Sequence, residues 1–321
     1  MPTPIRTWTV SINNAFGTVS SQLIQFQEAL WNLKSTLVAA GWTVTRSSNT
    51  VTASAADNWT SSTNVVLGLA GAGSWIVLQS PSSWPNAPGP VYVSLYVNNA
   101  TGDTTPQTIG LRISTLEYTG GTTAALPTTL GVETAVLTNG DDIIPWTTYT
   151  TGNWASWRSS RGDVLFGVKP TGTNQFRFFT MLVSMEDGNG DGVGTQRWFF
   201  YSRNNTTNVL AATDLQSSAN VRSVDAGGNT LVTTGVLVSP LWLGATAWTG
   251  GLDFQGETND MPIDVYQDSS SGGRWMGQFV DAYAAPTNIP FGTTIGGDIT
   301  FTFTAIGAIW VPVPIASLPF S

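Results

Sequence analysis

Only one stretch of this chain carries the spacing of an amphipathic helix, and that scarcity limits the possible folds more than any other feature. Over residues 20–40, Leu23, Phe26, Leu30, Leu33 and Leu37 recur at steps of three and four, with Ile24 and Val38 on the flank. Gly41 follows and predicts a stop in the left-handed conformation. Gln22, Gln25, Lys34 and Ser35 are expected to face water or a neighbour. A lone helix with one apolar stripe has to bury it against a sheet.

That sheet is expected immediately downstream. Residues 42–46 and 50–54 are short alternating runs, joined by Ser47, Ser48 and Asn49 as a hairpin turn. Further strands are expected at 74–79 and 91–97. In the latter, Val91, Val93, Leu95 and Val97 share one face and Tyr92, Ser94 and Tyr96 the other, the period of a half-buried strand. The four prolines of 80–90 make that segment a loop. Residues 1–118 therefore read as an α+β unit, one helix on an antiparallel sheet.

Beyond Thr119, Gly120 and Gly121 the helical signal ends. Residues 119–321 alternate strands, expected at 164–168, 175–183, 197–201, 230–238 and 299–308, with Gly, Asn and Pro turns. This spacing points to a β-sandwich or barrel-like domain. The fold class is mainly β. Composition agrees, because 41% of residues are hydrophobic while Thr, Val, Trp and Phe favour pleated strands. A chain of 321 residues is also long enough to bury a core without a covalent staple.

The same composition removes whole classes of function. There is no cysteine and no histidine, so thiol nucleophiles, Ser-His-Asp machines and nearly every zinc or copper site are excluded. Only 10% of residues are charged and the net charge is −8, with Lys34 and Lys169 the only lysines. A grip on nucleic-acid phosphates or an anionic membrane needs clustered basic residues, and neither partner is expected. The N-terminal residues show no cationic stretch leading into an apolar segment, so no secretory signal is expected and the chain should fold in the cytoplasm.

What remains for chemistry is carboxylates, hydroxyls, Tyr and Arg. Asp187, Asn189 and Asp191 alternate with glycines before Gly192, which is how a calcium loop supplies its first ligands. Its twelfth position is Trp198, not the bidentate Glu, and no helix flanks it. Turn chemistry favours a glycine-rich hairpin tip with Glu186 among its acids, and a structural Ca2+ is the alternative; no other cofactor is expected. Asp253, Glu257, Asp260, Asp264 and Asp268, with Phe254 and Tyr266 among them, form the densest acidic stretch. A glycosidase would need two such acids across a groove, but β-protein loops also collect Asp as turn-formers. Asp141 and Asp142 mark a turn after Asn139 and Gly140.

Trp146, Trp154 and Trp157 could form an aromatic platform for a glycan, or pack in the core or at a subunit interface. The second reading is favoured, because a chain with 14 tryptophans and few charges is expected to bury them, between subunits above all. The stretch from Trp310 through Pro312 and Pro314 to Pro319 and Phe320 is apolar and punctuated by proline. It is expected to be an extended arm and not a central strand.

Gly273 to Gly277, then Phe279, Val280, Asp281, Ala282, Tyr283 and Pro286, with Gly307 to Pro312 as an Ile-Trp-Val-Pro ending, form a segment that resembles the C-terminal parts of tailed-bacteriophage virion structural proteins. Those proteins are also similar in their Thr, Gly and Asn richness and their shortage of charge, Cys and His. The resemblance covers about the last fifty residues. It implies a non-catalytic, copy-repeated component of the tail, baseplate or head-tail connection, acting through homo-oligomeric contacts and contacts with other virion proteins. It carries over no catalytic residue. A capsid decoration protein, a virion protein that binds a receptor or host surface glycan, and a glycoside hydrolase are the alternatives.

Overall fold

A computed structural model describes residues 8–15, 22–49, 52–65, 74–82, 90–98, 107–114, 116–123, 126–129, 135–136, 144–146, 152–170, 178–186, 196–203, 221–225, 236–239, 262–267, 274–284, 294–295, 301–306 and 309–314. Strand β1 (Trp8–Ala15) precedes helix α1 (Gln22–Ala39), and then β2 (Thr43–Ser48), β3 (Ala53–Ser54), a 3-10 turn (Ser62–Asn64), β4 (Trp75–Gln79), β5 (Tyr92–Asn98) and β6 (Gln107–Ser114). Next come β7 (Tyr118–Thr119), β8 (Thr128–Thr129), β9 (Ala135–Val136), β10 (Ile144–Trp146), β11 (Gly152–Ser159), β12 (Val164–Pro170), β13 (Phe178–Glu186), β14 (Gln196–Arg203) and β15 (Val221–Asp225). The remaining strands are β16 (Val236–Ser239), β17 (Pro262–Gln267), β18 (Arg274–Ala284), β19 (Thr294–Ile295), β20 (Phe301–Ile306) and β21 (Ile309–Pro314). The protein is mainly β, with one helix, and every strand pairing among the described residues is antiparallel.

Helix α1 ends as its sequence predicts. Trp42 N–H donates to Leu37 O at 3.0 Å and Gly41 N–H to Val38 O at 2.9 Å. Gly41 sits between them at φ +95°. This pair of bonds satisfies carbonyls that the helix leaves open, and it needs a left-handed residue that glycine adopts without strain. Leu30, Leu33 and Leu37 are buried as the stripe requires, whereas Val38 is exposed. Lys34 departs from expectation. It is 7% exposed and turned inwards.

One sheet runs in the order β10-β6-β5-β4-β2-β3, with β9 on β6, and residues beyond 119 supply two of its strands. The hairpin β2–β3 forms later than its sequence suggests. Ser47 and Ser48 are strand residues facing Ser54 and Ala53, and the turn begins at Asn49, whose side-chain Oδ1 accepts the Thr52 N–H at 2.8 Å. Polar residues look like a turn, but both serines are buried here because their hydroxyls find partners. Ser47 Oγ donates to Ala56 O at 2.7 Å and accepts the Asn58 N–H at 2.5 Å. Ser48 Oγ accepts the Trp75 N–H at 3.2 Å.

Strand β5 alternates as predicted but is covered on both faces, not half-buried. Val91, beside the strand, and Val93 and Leu95 join the main core, while Tyr92 and Tyr96 enter a second cluster with Trp75, Val77 and Tyr118. The ribbon β7–β8 brings Tyr118 to that cluster. Trp75 clamps the adjoining chain, with its Nε1–H on Thr122 O at 2.9 Å.

The other sheet follows the path β1-β11-β12-β13-β18-β21-β20-β19, with β14 and β15 branching from β13 and β16 and β17 from β18. Strand β21 also approaches β1, so this part of the sheet curls back on itself. Between residues 309 and 314 the proline-rich stretch is extended and lies along its own chain as a strand. It pairs with β20 from Ile309 to Pro314 and with β18 only at Ile309 and Trp310. Pro312 and Pro314, two apart along the strand, lack their N–H on the same edge.

The main core joins both sheets to the helix. Ala29, Leu30, Leu33 and Leu37 of α1 meet Ile76, Leu78, Val93 and Leu95 of the first sheet and Val164, Phe166, Val168 and Leu182 of the second. Each buried Leu or Val of this kind contributes about 1.5–3 kcal/mol. Residues on both sides of position 118 thus share one core.

Candidate functional site

Without imidazole or thiolate, any reactive centre has to be built from carboxylates and hydroxyls. Asp163 lies in the β11–β12 turn, fully buried, and accepts the Ser159 hydroxyl proton at 2.7 Å. The Ser159 oxygen in turn accepts the Arg161 N–H at 3.2 Å and the Asp163 N–H at 3.3 Å. This closes a turn and presents nothing outward.

Asp57, whose side chain is about one-third exposed, is a second acid with partners in the fold. It pairs with Lys34 Nζ, while its Oδ1 accepts the Trp59 N–H at 2.9 Å. Lys34 Nζ also donates to Trp59 O at 3.0 Å. Around this pair, Asn58 Nδ2 donates to Ser47 O at 2.8 Å and Trp59 Nε1 to Ser48 O at 2.9 Å. Gln27 Nε2 reaches Val65 O at 2.6 Å. Together these bonds seat the segment 55–65 between α1 and the end of β2. The sequence held one signal of this arrangement. Position 34 is four residues after Leu30 and three before Leu37, so its amine starts on the apolar face and needs an internal partner.

The tryptophans are not brought to one surface. Trp146 ends β10 in the first sheet, whereas Trp154 and Trp157 lie on β11, three apart and so on opposite faces. Trp157 is fully buried. Trp154 is half-buried, stacked on Phe166 with ring centroids 5.8 Å apart, against the main core. Trp42, Trp59 and Trp75 are buried within the chain as well. The expectation that indoles are spent chiefly between subunits is therefore corrected for these residues: they fill this chain's own interior.

Asp187, Asn189 and Asp191 lie outside the described residues, as do Asp141, Asp142, Asp253, Glu257, Asp260 and Asp268. Their setting is partly visible, since β13 and β14 pair antiparallel from Phe179 opposite Arg203 to Ser184 opposite Trp198. The calcium-like motif thus falls in the connection of a hairpin. Asp264 is in β17, opposite Ser239 and Gln278. Among the described residues no group of three or more Asp or Glu side chains comes together.

Tyr92 has a perturbed hydroxyl. Burial, and then the negative charge of Glu117, hold it above the usual phenol value of 10.0. A proton held more tightly in the folded state stabilises the fold fully below pH 10.0, and that contribution disappears as pH rises through the folded value. Thermal unfolding followed upward through this range is expected to show falling stability, with a shallower fall in Tyr92→Phe. Parallel curves for the two proteins would contradict this role.

Compared with known proteins, the sequence matches no protein-family model and no curated protein.

Proposed function

We propose that this chain is a non-catalytic structural component of a tailed-phage virion, in the tail, baseplate or head-tail connection, working through contacts with its own copies and with neighbouring virion proteins. The observation that carries the non-catalytic reading is the internal use of reactive groups. Among the described residues, Asp57 is tied to Lys34 and Trp59, and the buried Asp163 to Ser159. The virion assignment draws its support from the resemblance at residues 273–286 and 309–312 and from the low charge of the whole sequence.

Size-exclusion chromatography with light scattering tests the reading. The purified chain is expected to form one defined oligomer, a ring or a trimer, stable to dilution. A monomer at all concentrations that binds host polysaccharide on a glycan array would overturn it in favour of a receptor-binding module.

A further inference from the structure

Lys34 and Asp57 hold a chemistry that the proposed function does not use. Lys34 carries a primary amine into the core on α1, with Nζ bonded to Trp59 O at 3.0 Å and in contact with Asp57 Oδ2. The carboxyl group is gripped from its other side, where Oδ1 accepts the Trp59 N–H at 2.9 Å. A backbone donor therefore sits on one oxygen, the nucleophile lies against the other, and a third bond fixes the direction of the amine.

These are the parts of an acyl-transfer centre. A fixed N–H donor stabilises the oxygen on which negative charge gathers, and a nucleophile held in contact reacts as if at an effective concentration of about 10^5 M. We propose that Lys34 and Asp57 condense into an intramolecular isopeptide bond that ties α1 to the segment 55–60.

The step balances without a further reactant. One proton passes from the Nζ ammonium to Oδ2, leaving an amine and a carboxylic acid. Nζ then attacks Cγ, the Nζ–Cγ bond forms, and the Cγ–Oδ2 bond breaks. Oδ2 leaves as water, taking a second proton from Nζ. The product keeps both anchoring bonds, because the new amide N–H still faces Trp59 O and the remaining Oδ1 still accepts the Trp59 N–H. It also neutralises the Lys34 ammonium, which is shielded from water, while the Asp57 side chain stays about one-third exposed. In a chain with no cysteine it is a covalent tie that needs no disulfide. The inference is independent of the virion assignment.

The intact mass of the purified full chain under denaturing conditions tests this. The wild type is expected to be lighter than its sequence mass by one water, and proteolysis should yield a branched peptide joining Lys34 to Asp57. Lys34→Arg and Asp57→Ala should both appear at full sequence mass. A wild-type chain at full mass overturns the proposal without reference to any variant. So does a water deficit that persists in Lys34→Arg, which would place the loss elsewhere, such as a succinimide at Asp187 or Asp191 before their glycines.

Discussion

Trp59→Ala is expected to cost about 3–5 kcal/mol of folding stability, the range for truncating a buried aromatic residue. The indole is fully buried and its N–H is satisfied by Ser48 O at 2.9 Å. Truncation empties a site that both α1 and the first sheet help to line, and it strands a buried carbonyl at the end of β2. The backbone of Trp59 would still hold Lys34 and Asp57, so the loss reports the side chain alone. Chemical denaturation of wild type and variant measures it directly. A change below about 1 kcal/mol would mean that the cavity collapses freely and that this region is not part of one packed core.

The second large effect belongs to Gly162→Ala. This glycine has φ +105°, a conformation that costs an L-residue about 1–2 kcal/mol. A Cβ added there would lie 2.5 Å from Pro81 Cγ and 3.1 Å from its Cδ. The Gly162 carbonyl accepts the buried Trp42 indole Nε1–H at 2.8 Å, so movement here would also disturb the residue that follows the helix stop. A total of about 2–4 kcal/mol is expected from strain and displaced packing together. Gly120→Ala is the control, since Gly120 also has a positive φ, +68°, but nothing lies within 4 Å of its added Cβ. Equal losses in the two variants, compared by denaturant midpoint, would show that the contact with Pro81 does not matter.

What the sequence revealed depended on whether its signal was local. Helix α1 was legible because Leu30, Leu33 and Leu37 repeat its period and Gly41 marks its end. Strands β4 and β5 were legible because β-branched and aromatic residues crowd there. The pairing of β1 with β11 was not, since two strands so far apart along the chain leave no mark on one another's composition. Ser47 and Ser48 misled for a different reason. A polar residue signals a turn only when its hydroxyl has no buried partner, and here Ala56, Asn58 and Trp75 supply partners from other segments. Pro312 and Pro314 signalled an extended segment, and the stretch is extended, but its partner β20 left no mark on it.

The candidate site followed the same division. Trp154 and Trp157 looked like one platform because they are close in sequence, yet a spacing of three on a strand sends them to opposite faces. Lys34 carried the more useful signal, being a charge on an apolar stripe. Its partner Asp57 could not be named in advance, because the contact depends on how the segment 55–65 folds back over the helix.

The proposal that this chain is a virion component is tested most directly by protein mass spectrometry of tailed-phage particles purified from the source of its gene. The expected result is that the chain co-purifies with intact particles, in several copies per particle, and stays with them through salt washes. Its absence from particles, together with abundance in the infected-cell lysate, would contradict the proposed role.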